Sequence, residues 1–194
     1  MSNQVETLVD VQLTNRNRTT VFWRGVLVVP VAIFFASFYQ MMQAGWSTAI
    51  LVLPAALALI FREVYPSYVL TFNHAVMELS TRISAYLFLL TDEYPSIERN
   101  PNVAVIFPDI EGGKKLNRWL PLVKWILAIP LYIVGIIYAL ISALLTIYAW
   151  LATSITGNYP EVAAKTVLGT IDFWNRIYGY AITLVTDEYP SFSL

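Results

Sequence analysis

The chain has 194 residues, of which 57% are hydrophobic and only 13% are charged, whereas soluble domains carry roughly a quarter charged residues. A formal net charge of -1 argues against nucleic acid as a partner, because neutralising phosphates requires a basic patch. Without cysteine the chain cannot form a thiolate metal site, and the single histidine His74 argues against a histidine-based one. We therefore expect no nucleic acid, metal or other cofactor.

Long charge-free segments dominate the chain and predict insertion into a lipid bilayer. Residues 26–38 and 46–61 carry no charge, and residues 119–157 contain only Lys124. A helix over 119–156 would be about 57 Å long, nearly twice the roughly 30 Å hydrocarbon core. We therefore predict that residues 119–156 form a hairpin of two short spans, and that residues 21–42 and 47–61 form a second hairpin, four spans in all. One long bent helix in each half of the chain is the alternative.

A repeated hexapeptide indicates that the chain is a tandem duplication. Thr-Asp-Glu-Tyr-Pro-Ser occurs at residues 91–96 and again at 186–191. Four further matched pairs lie at offsets of 100 or 94 residues: Asn17 and Asn117, Arg24 and Lys124, Pro30 and Pro130, Tyr65 and Tyr159. Repetition of this kind predicts two units of similar structure, residues 1–98 and 99–194. The change of offset places extra residues of the first unit near 40–48.

Basic residues lie before or near the start of the first apolar run of each unit. They are Arg16, Arg18 and Arg24 in the first unit, and Lys114, Lys115, Arg118 and Lys124 in the second. The positive-inside tendency puts both groups, and both termini, on the cytoplasmic side of the inner membrane. An even number of crossings per unit follows, with the units parallel about an axis along the membrane normal. Trp23, Trp119 and Trp125 nearby are typical of an interfacial belt.

A third helix with one polar stripe is predicted after Tyr-Pro in each unit. The stripe brings together Glu78 with Arg82 in the first unit and Asp172 with Arg176 in the second, each pair at the i,i+4 spacing. A polar stripe on an apolar helix suits an interfacial helix, which we expect, or a helix facing its partner inside a bundle. The pairs either fasten this helix, as we favour, or form polar sites near the axis.

The repeated motifs that close the two units are a second candidate site. Their residues are Asp92, Glu93, Tyr94 and Pro95, and Asp187, Glu188, Tyr189 and Pro190. Clustered carboxylates could hold a hard cation or exchange protons. Adjacent carboxylates often point apart, however, and we favour a solvated helix end anchored by the tyrosine.

Two short β-rich segments precede the apolar runs. Residues 9–13 and 103–107 are each long enough to pair across the two units. The expected fold is thus an all-α integral membrane protein of two parallel repeats. Each repeat has a transmembrane hairpin and an amphipathic interfacial helix, with a possible two-stranded sheet on the cytoplasmic face.

The second unit resembles an uncharacterised prokaryotic membrane family, domain of unknown function 4389. The resemblance rests on residues 122–130, 156–160, 174–176 and 186–192. It covers residues 103–194 closely and 9–96 more loosely, as in family members with tandem copies. Leu131 stands where the family usually has histidine, so no role of that histidine carries over. The resemblance implies a membrane protein and supplies no activity and no catalytic residues.

We expect a non-enzymatic structural or accessory membrane protein, a subunit of a larger membrane complex or a homo-oligomer. The chain lacks a nucleophile elbow, a phosphate-binding glycine loop and a zinc-protease motif. A small transporter, channel or lipid-binding protein using the acid–arginine stripes is the alternative. A membrane enzyme acting on lipid would require carboxylates that converge around a pocket.

Overall fold

The computed structural model describes residues 3–40, 51–98 and 100–194 and is mostly helical, with a small two-stranded sheet. The strands are β1 (Glu6–Val9) and β2 (Val103–Ile106). The helices before β2 are α1 (Arg18–Phe22), α2 (Arg24–Leu27), α3 (Val29–Gln40), α4 (Val52–Arg62) and α5 (Ser67–Leu87). Those after it are α6 (Lys124–Leu127), α7 (Ile129–Thr156) and α8 (Glu161–Ile177), which a π-helical turn, Tyr178–Ile182, extends.

The predicted sheet is confirmed, although its first strand begins earlier than expected. β1 and β2 are antiparallel, with Thr7 opposite Val105. The first strand is Glu6–Val9 and not 9–13, and pairing with the second strand ends where the backbone N–H of Asp10 donates to the carbonyl of Asn102 at 2.8 Å. The backbone N–H of Gln12 instead donates to the carbonyl of Leu90 at 2.9 Å, at the end of the same half.

The hairpins predicted for the apolar runs are wrong. In the second half, α7 is one continuous helix of 28 residues. In the first half, Phe38 near the end of α3 packs against Phe72 of α5. Asn73 of α5 accepts the backbone N–H of Leu51 at 2.7 Å, just before α4 begins. Helices α3 and α4 therefore follow one another along α5. The predicted turn and extra residues near 40–48 lie almost wholly outside the described residues.

Helix α8 runs back along α7 and does not lie across its end. Gly157 ends α7 with φ 77°, and Pro160 precedes α8. Farther along, Ser142 and Thr170 share a 2.7 Å hydrogen bond. A Cβ on Gly135 would come within 2.8 Å of the Trp174 ring, so glycine permits this close approach. The expected hairpin of the second half is therefore replaced by one helix with α8 packed along it, because small residues on α7 permit this close approach.

The elements form three layers. On α8, Phe173 and Ile177 pack with α7, whereas Asp172, on another side, accepts a hydrogen bond from Thr7 of β1. Gly179, just beyond α8, lies against Val5, which precedes β1. Helix α5 is arranged likewise: Leu79 and Ile83 pack with α3, and His74 bonds to β2. The sheet is one layer, α5 and α8 form the middle layer, and α3 and α7 form the third, which we call the outer helical layer. Helix α4 joins a separate buried cluster through Ala55 and Leu59.

The outer helical layer leaves apolar side chains uncovered. Within the described ranges, α7 is the one helix long and apolar enough to cross a membrane, and 17% of its most apolar stretch is buried. Its exposed residues lie opposite α8 and include Ile133, Ile137, Leu140, Leu144, Leu151 and Ile155. Such a contiguous apolar surface is rare on a soluble monomer.

Candidate functional site

Asp92 of the first end motif is bound by two arginines. Arg24 Nη2 lies 2.5 Å and Arg16 Nη2 2.8 Å from Asp92 Oδ1. The backbone N–H of Asn17 donates to Asp92 Oδ2 at 2.8 Å. Burial favours a raised pKa for Asp92, but these hydrogen bonds, with that from Arg16 foremost, outweigh it and hold the pKa below its ordinary value. We call this group of four residues the first clamp.

Arg24 is placed for this contact by several further groups. It is only 2% exposed, and its Nη1 donates to the carbonyl of Thr91 at 2.6 Å. Its guanidinium lies 4.0 Å from the centre of the Tyr86 ring. A planar, permanently charged guanidinium can satisfy a carboxylate, a carbonyl and a ring face at once. The bonds join the start of α2 to the segment that follows α5.

The second end motif forms a matching arrangement around Lys124. Its Nζ lies 2.7 Å from Asp187 Oδ1 and donates to the carbonyl of Thr186 at 2.6 Å. The backbone N–H of Asn117 donates to Asp187 Oδ2 at 2.5 Å. Lys124 is 1% exposed and lies 5.2 Å from the Tyr180 ring centre. Burial lowers the pKa of Lys124, against the raising effect of Asp187. Lys124, Asp187 and Asn117 form the second clamp.

The aspartates of the end motifs are therefore ion-paired and mostly buried, with side chains 16% and 23% exposed, and are not the freely solvated carboxylates expected at these positions. The glutamates are exposed and hold the segments that precede the strands. Glu93 accepts a hydrogen bond from Asn102 at 2.6 Å, and Glu188 accepts from Asn3 at 2.8 Å and Gln4 at 2.9 Å. Each motif thus joins the end of one half to the start of the other.

The remaining residues of the end motifs make matching contacts too. Tyr94 packs edge-on against Tyr86 and Tyr189 against Tyr180, with ring centres 5.5 Å and 5.6 Å apart. Pro95 and Pro190 are buried in both motifs. Tyr94 and Tyr189 therefore each pack on the tyrosine whose ring lies against the buried cation of a clamp.

Two buried tyrosines connect the halves reciprocally. Tyr65 donates its hydroxyl to the carbonyl of Thr183 at 2.6 Å, and Tyr159 donates to the carbonyl of Phe88 at 2.9 Å. Burial raises the pKa of each hydroxyl to about 12, so both remain protonated donors near neutral pH. Each tyrosine belongs to one half and binds the helix end of the other.

The acid–arginine pairs lie beside the sheet. Arg176 Nε is 3.2 Å from Asp172 Oδ2, so the pair predicted in the second half forms. Asp172 also accepts the backbone N–H of Thr7 at 3.2 Å, and Arg176 donates to Ser191 and Ser193. These bonds fasten α8 to β1 and to the C-terminal segment.

The corresponding residues of α5 face β2. Glu78 is 6% exposed, and its Oε1 lies 3.8 Å from His74 Nε2, which is bonded at 2.6 Å to the Val105 carbonyl. Arg82 donates to the carbonyl of Glu98. Open grooves of about 640 Å³ beside Glu78 and about 500 Å³ beside Asp172 border the two strands. Both stripes therefore lie beside the sheet, on the opposite side of the middle layer from α3 and α7.

A third cavity lies where the two middle helices cross. Asn175 donates to Thr81 at 3.0 Å, and these residues are separated by the 94-residue offset. The neighbouring cavity has a volume of about 290 Å³. Its described lining residues carry no charge and include Ser80, Ser84, Ser142, Thr170, Trp174 and Tyr178. It combines hydroxyl groups with an aromatic wall.

Carboxylates do not converge on a metal-binding geometry in residues 3–40, 51–98 and 100–194. No group of three or more histidine, aspartate or glutamate side chains there could hold a metal ion. Asp92 and Asp187 each face a buried cation, so they have the partners of an ion pair and not those of a metal ligand.

Comparisons with protein-family models, with curated proteins and with solved structures find no match to this chain. The resemblance to domain of unknown function 4389 therefore stays a prediction. In the sequence, Arg24 and Lys124 indicate only topology, whereas in the structure both are buried. The available signal was that each unit repeats a basic residue together with the acidic motif that binds it.

Proposed function

We propose that this chain is a non-enzymatic accessory or structural protein of the cytoplasmic membrane, which binds a larger membrane complex or its own copies. The observation that carries the proposal is the exposed outer helical layer. A core helix of a soluble protein is mostly buried, whereas the most apolar stretch of α7 is 17% buried. A surface this apolar requires lipid or another apolar protein surface to cover it.

We also propose that the two halves are copies of one unit that interlock about a pseudo-two-fold axis. The paired clamps, the reciprocal tyrosines and the antiparallel strands support this. The matching offset is 94 at Tyr86 and Tyr180 but 95 at Thr91 and Thr186. The π-helical turn Tyr178–Ile182 lies where one residue is gained, and a π-bulge is the usual way for a helix to accept such a residue.

The test begins with membrane extraction of the tagged protein. We expect it in the membrane fraction after washing at alkaline pH, and in solution only after detergent is added. Recovery in the soluble fraction without detergent would overturn the membrane assignment. Mass spectrometry of the gently solubilised protein then separates the two arrangements. Stoichiometric membrane subunits would identify an accessory subunit, and a pure homo-oligomer would favour self-association.

Lipid binding is a second candidate, which the cavity beside Thr81 and Asn175 favours over the acid–arginine grooves. Its uncharged lining of hydroxyl and aromatic groups suits a neutral amphiphile. Ser84→Leu would fill the cavity, while Ser37→Leu, on exposed α3, serves as the matched control. Loss of co-purifying neutral lipid in Ser84→Leu alone would support this function. Equal lipid content in both variants would reject it.

A further inference from the structure

We propose that α7 does not cross the bilayer and that the protein lies in one leaflet, with the outer helical layer in lipid and the sheet in water. This orientation rests on the membrane location proposed above. Its basis is the order of the three layers, because the sheet and α7 lie on opposite sides of α8.

Polar groups occur at both ends of α7 and between them. At its C-terminal end, Arg18 donates to the carbonyl of Thr156. At its N-terminal end lies the second clamp around Lys124. Between them, α8 presents Trp174 to Gly135 of α7 and Asp172, two residues earlier, to β1. A bilayer perpendicular to α7 would therefore enclose charged side chains and the sheet.

That arrangement is strongly unfavourable in hydrocarbon. Open sheet edges do not occur in contact with lipid, because their unpaired backbone groups have no partners there. A charged side chain at the bilayer centre costs at least about 2.5 kcal/mol by insertion scales. A bilayer plane parallel to α7 avoids both costs, because only apolar side chains of the outer layer enter the lipid. Amphipathic helices bury such faces roughly 5–10 Å deep.

The basic and aromatic residues agree with the parallel orientation. In the parallel orientation, the basic segments at the start of the two halves lie on the same side of the membrane, as the positive-inside tendency predicts. Trp23, Trp119 and Trp125 are 54%, 60% and 58% exposed. Tryptophan favours the headgroup boundary. The 28 residues of α7 extend about 42 Å, well beyond a 30 Å core, and this length is unremarkable for a helix lying in the plane.

Depth measurements on single cysteines test the orientation, because the natural chain has no cysteine. Ile133→Cys, Leu144→Cys and Ile155→Cys sit along the exposed side of α7, with the outer two about 33 Å apart. Leu8→Cys on β1, 55% exposed, is the control. Each variant carries a nitroxide label in vesicles, and collisions with oxygen and with a water-soluble nickel complex report the depth.

We expect similar, shallow depths at the three α7 positions and full water access at Leu8→Cys from the cytoplasmic side only. A depth maximum at Leu144→Cys, with Ile133→Cys and Ile155→Cys at opposite surfaces, would overturn the proposal in favour of a crossing helix. Labels shielded from both reagents, with spin–spin broadening, would assign the face to a second copy and also overturn it. Water access at all four positions would instead refute the membrane location itself.

Discussion

The two clamps share a backbone arrangement but differ in the cations that occupy it. Asp92 faces Arg16 and Arg24, whereas Asp187 faces Lys124 alone among the described cations. Leu116 stands where the 100-residue offset would place a counterpart of Arg16. Each aspartate therefore has one buried cation at the equivalent position, Arg24 or Lys124, and only Asp92 has a second, Arg16.

The largest expected effect is that of Asp92→Asn. This change leaves Arg16 and Arg24 buried without a counter-charge, and removing one partner of a buried pair costs about 3–5 kcal/mol. We expect the free energy of unfolding in detergent to fall by this amount. Asp187→Asn is measured in parallel. If Asp92→Asn lowers the free energy of unfolding no more than Asp187→Asn does, the second arginine does not strengthen the first clamp.

A pH titration sharpens the same comparison. The pKa of Asp92 is lowered in the folded protein, so its contribution to stability is complete above the unfolded value of about 3.9. It is lost as pH falls through the lower, folded pKa. We therefore expect the melting temperature to drop below about pH 4 in the natural protein and to drop less in Asp92→Asn. Parallel curves for the two proteins would show that other carboxylates dominate.

Replacement of the second cation is expected to have a smaller effect. Lys124→Met keeps much of the buried aliphatic stem but leaves Asp187 without its cation, which costs about 1–3 kcal/mol for an unsatisfied buried group. Lys124→Arg tests whether the second clamp accepts the guanidinium of the first. Equal stability losses for Lys124→Met and Lys124→Arg would mean that shape, and not charge, is required there.

The reciprocal tyrosines predict a smaller and unequal pair of effects. Tyr159→Phe removes one hydrogen bond, worth about 1 kcal/mol. Tyr65→Phe removes the corresponding bond and also the acceptor of a 3.2 Å bond from buried Asn73. Chemical denaturation should therefore show the larger loss for Tyr65→Phe. The reverse order would be inconsistent with the buried contact of Asn73.

An exposed ion pair is expected to have the smallest effect on stability among these substitutions. Lys165 Nζ lies 2.9 Å from Glu161 Oε1, with both side chains more than 60% exposed. Exposed pairs contribute about 0.2–1 kcal/mol. Lys165→Met should change stability by less than Lys124→Met in the same unfolding assay. If the two variants lost similar stability, burial would not explain the contribution of Lys124 to the second clamp.

Several features follow from local sequence alone. The repeated hexapeptide marks two corresponding positions, and the two β-rich segments predict the sheet. The i,i+4 spacing predicts the ion pair of Asp172 and Arg176, which needs only a helix to form. The apolar composition also predicts an uncovered apolar surface, because a chain of 194 residues is too small to bury all of its long charge-free segments.

Tertiary structure alone decided how these elements meet. Because α7 is apolar on every side, its sequence has no pattern that distinguishes a hairpin from a single helix. The hairpin is predicted from the length of residues 119–156, on the assumption that a helix there would be perpendicular to the bilayer. Gly135 and Ser142 allowed α8 to pack along α7. The burial of Lys124 depends on Asp187, 63 residues later. Periodicity reports local contacts only, so charges that bind across such distances become visible only once the chain has folded.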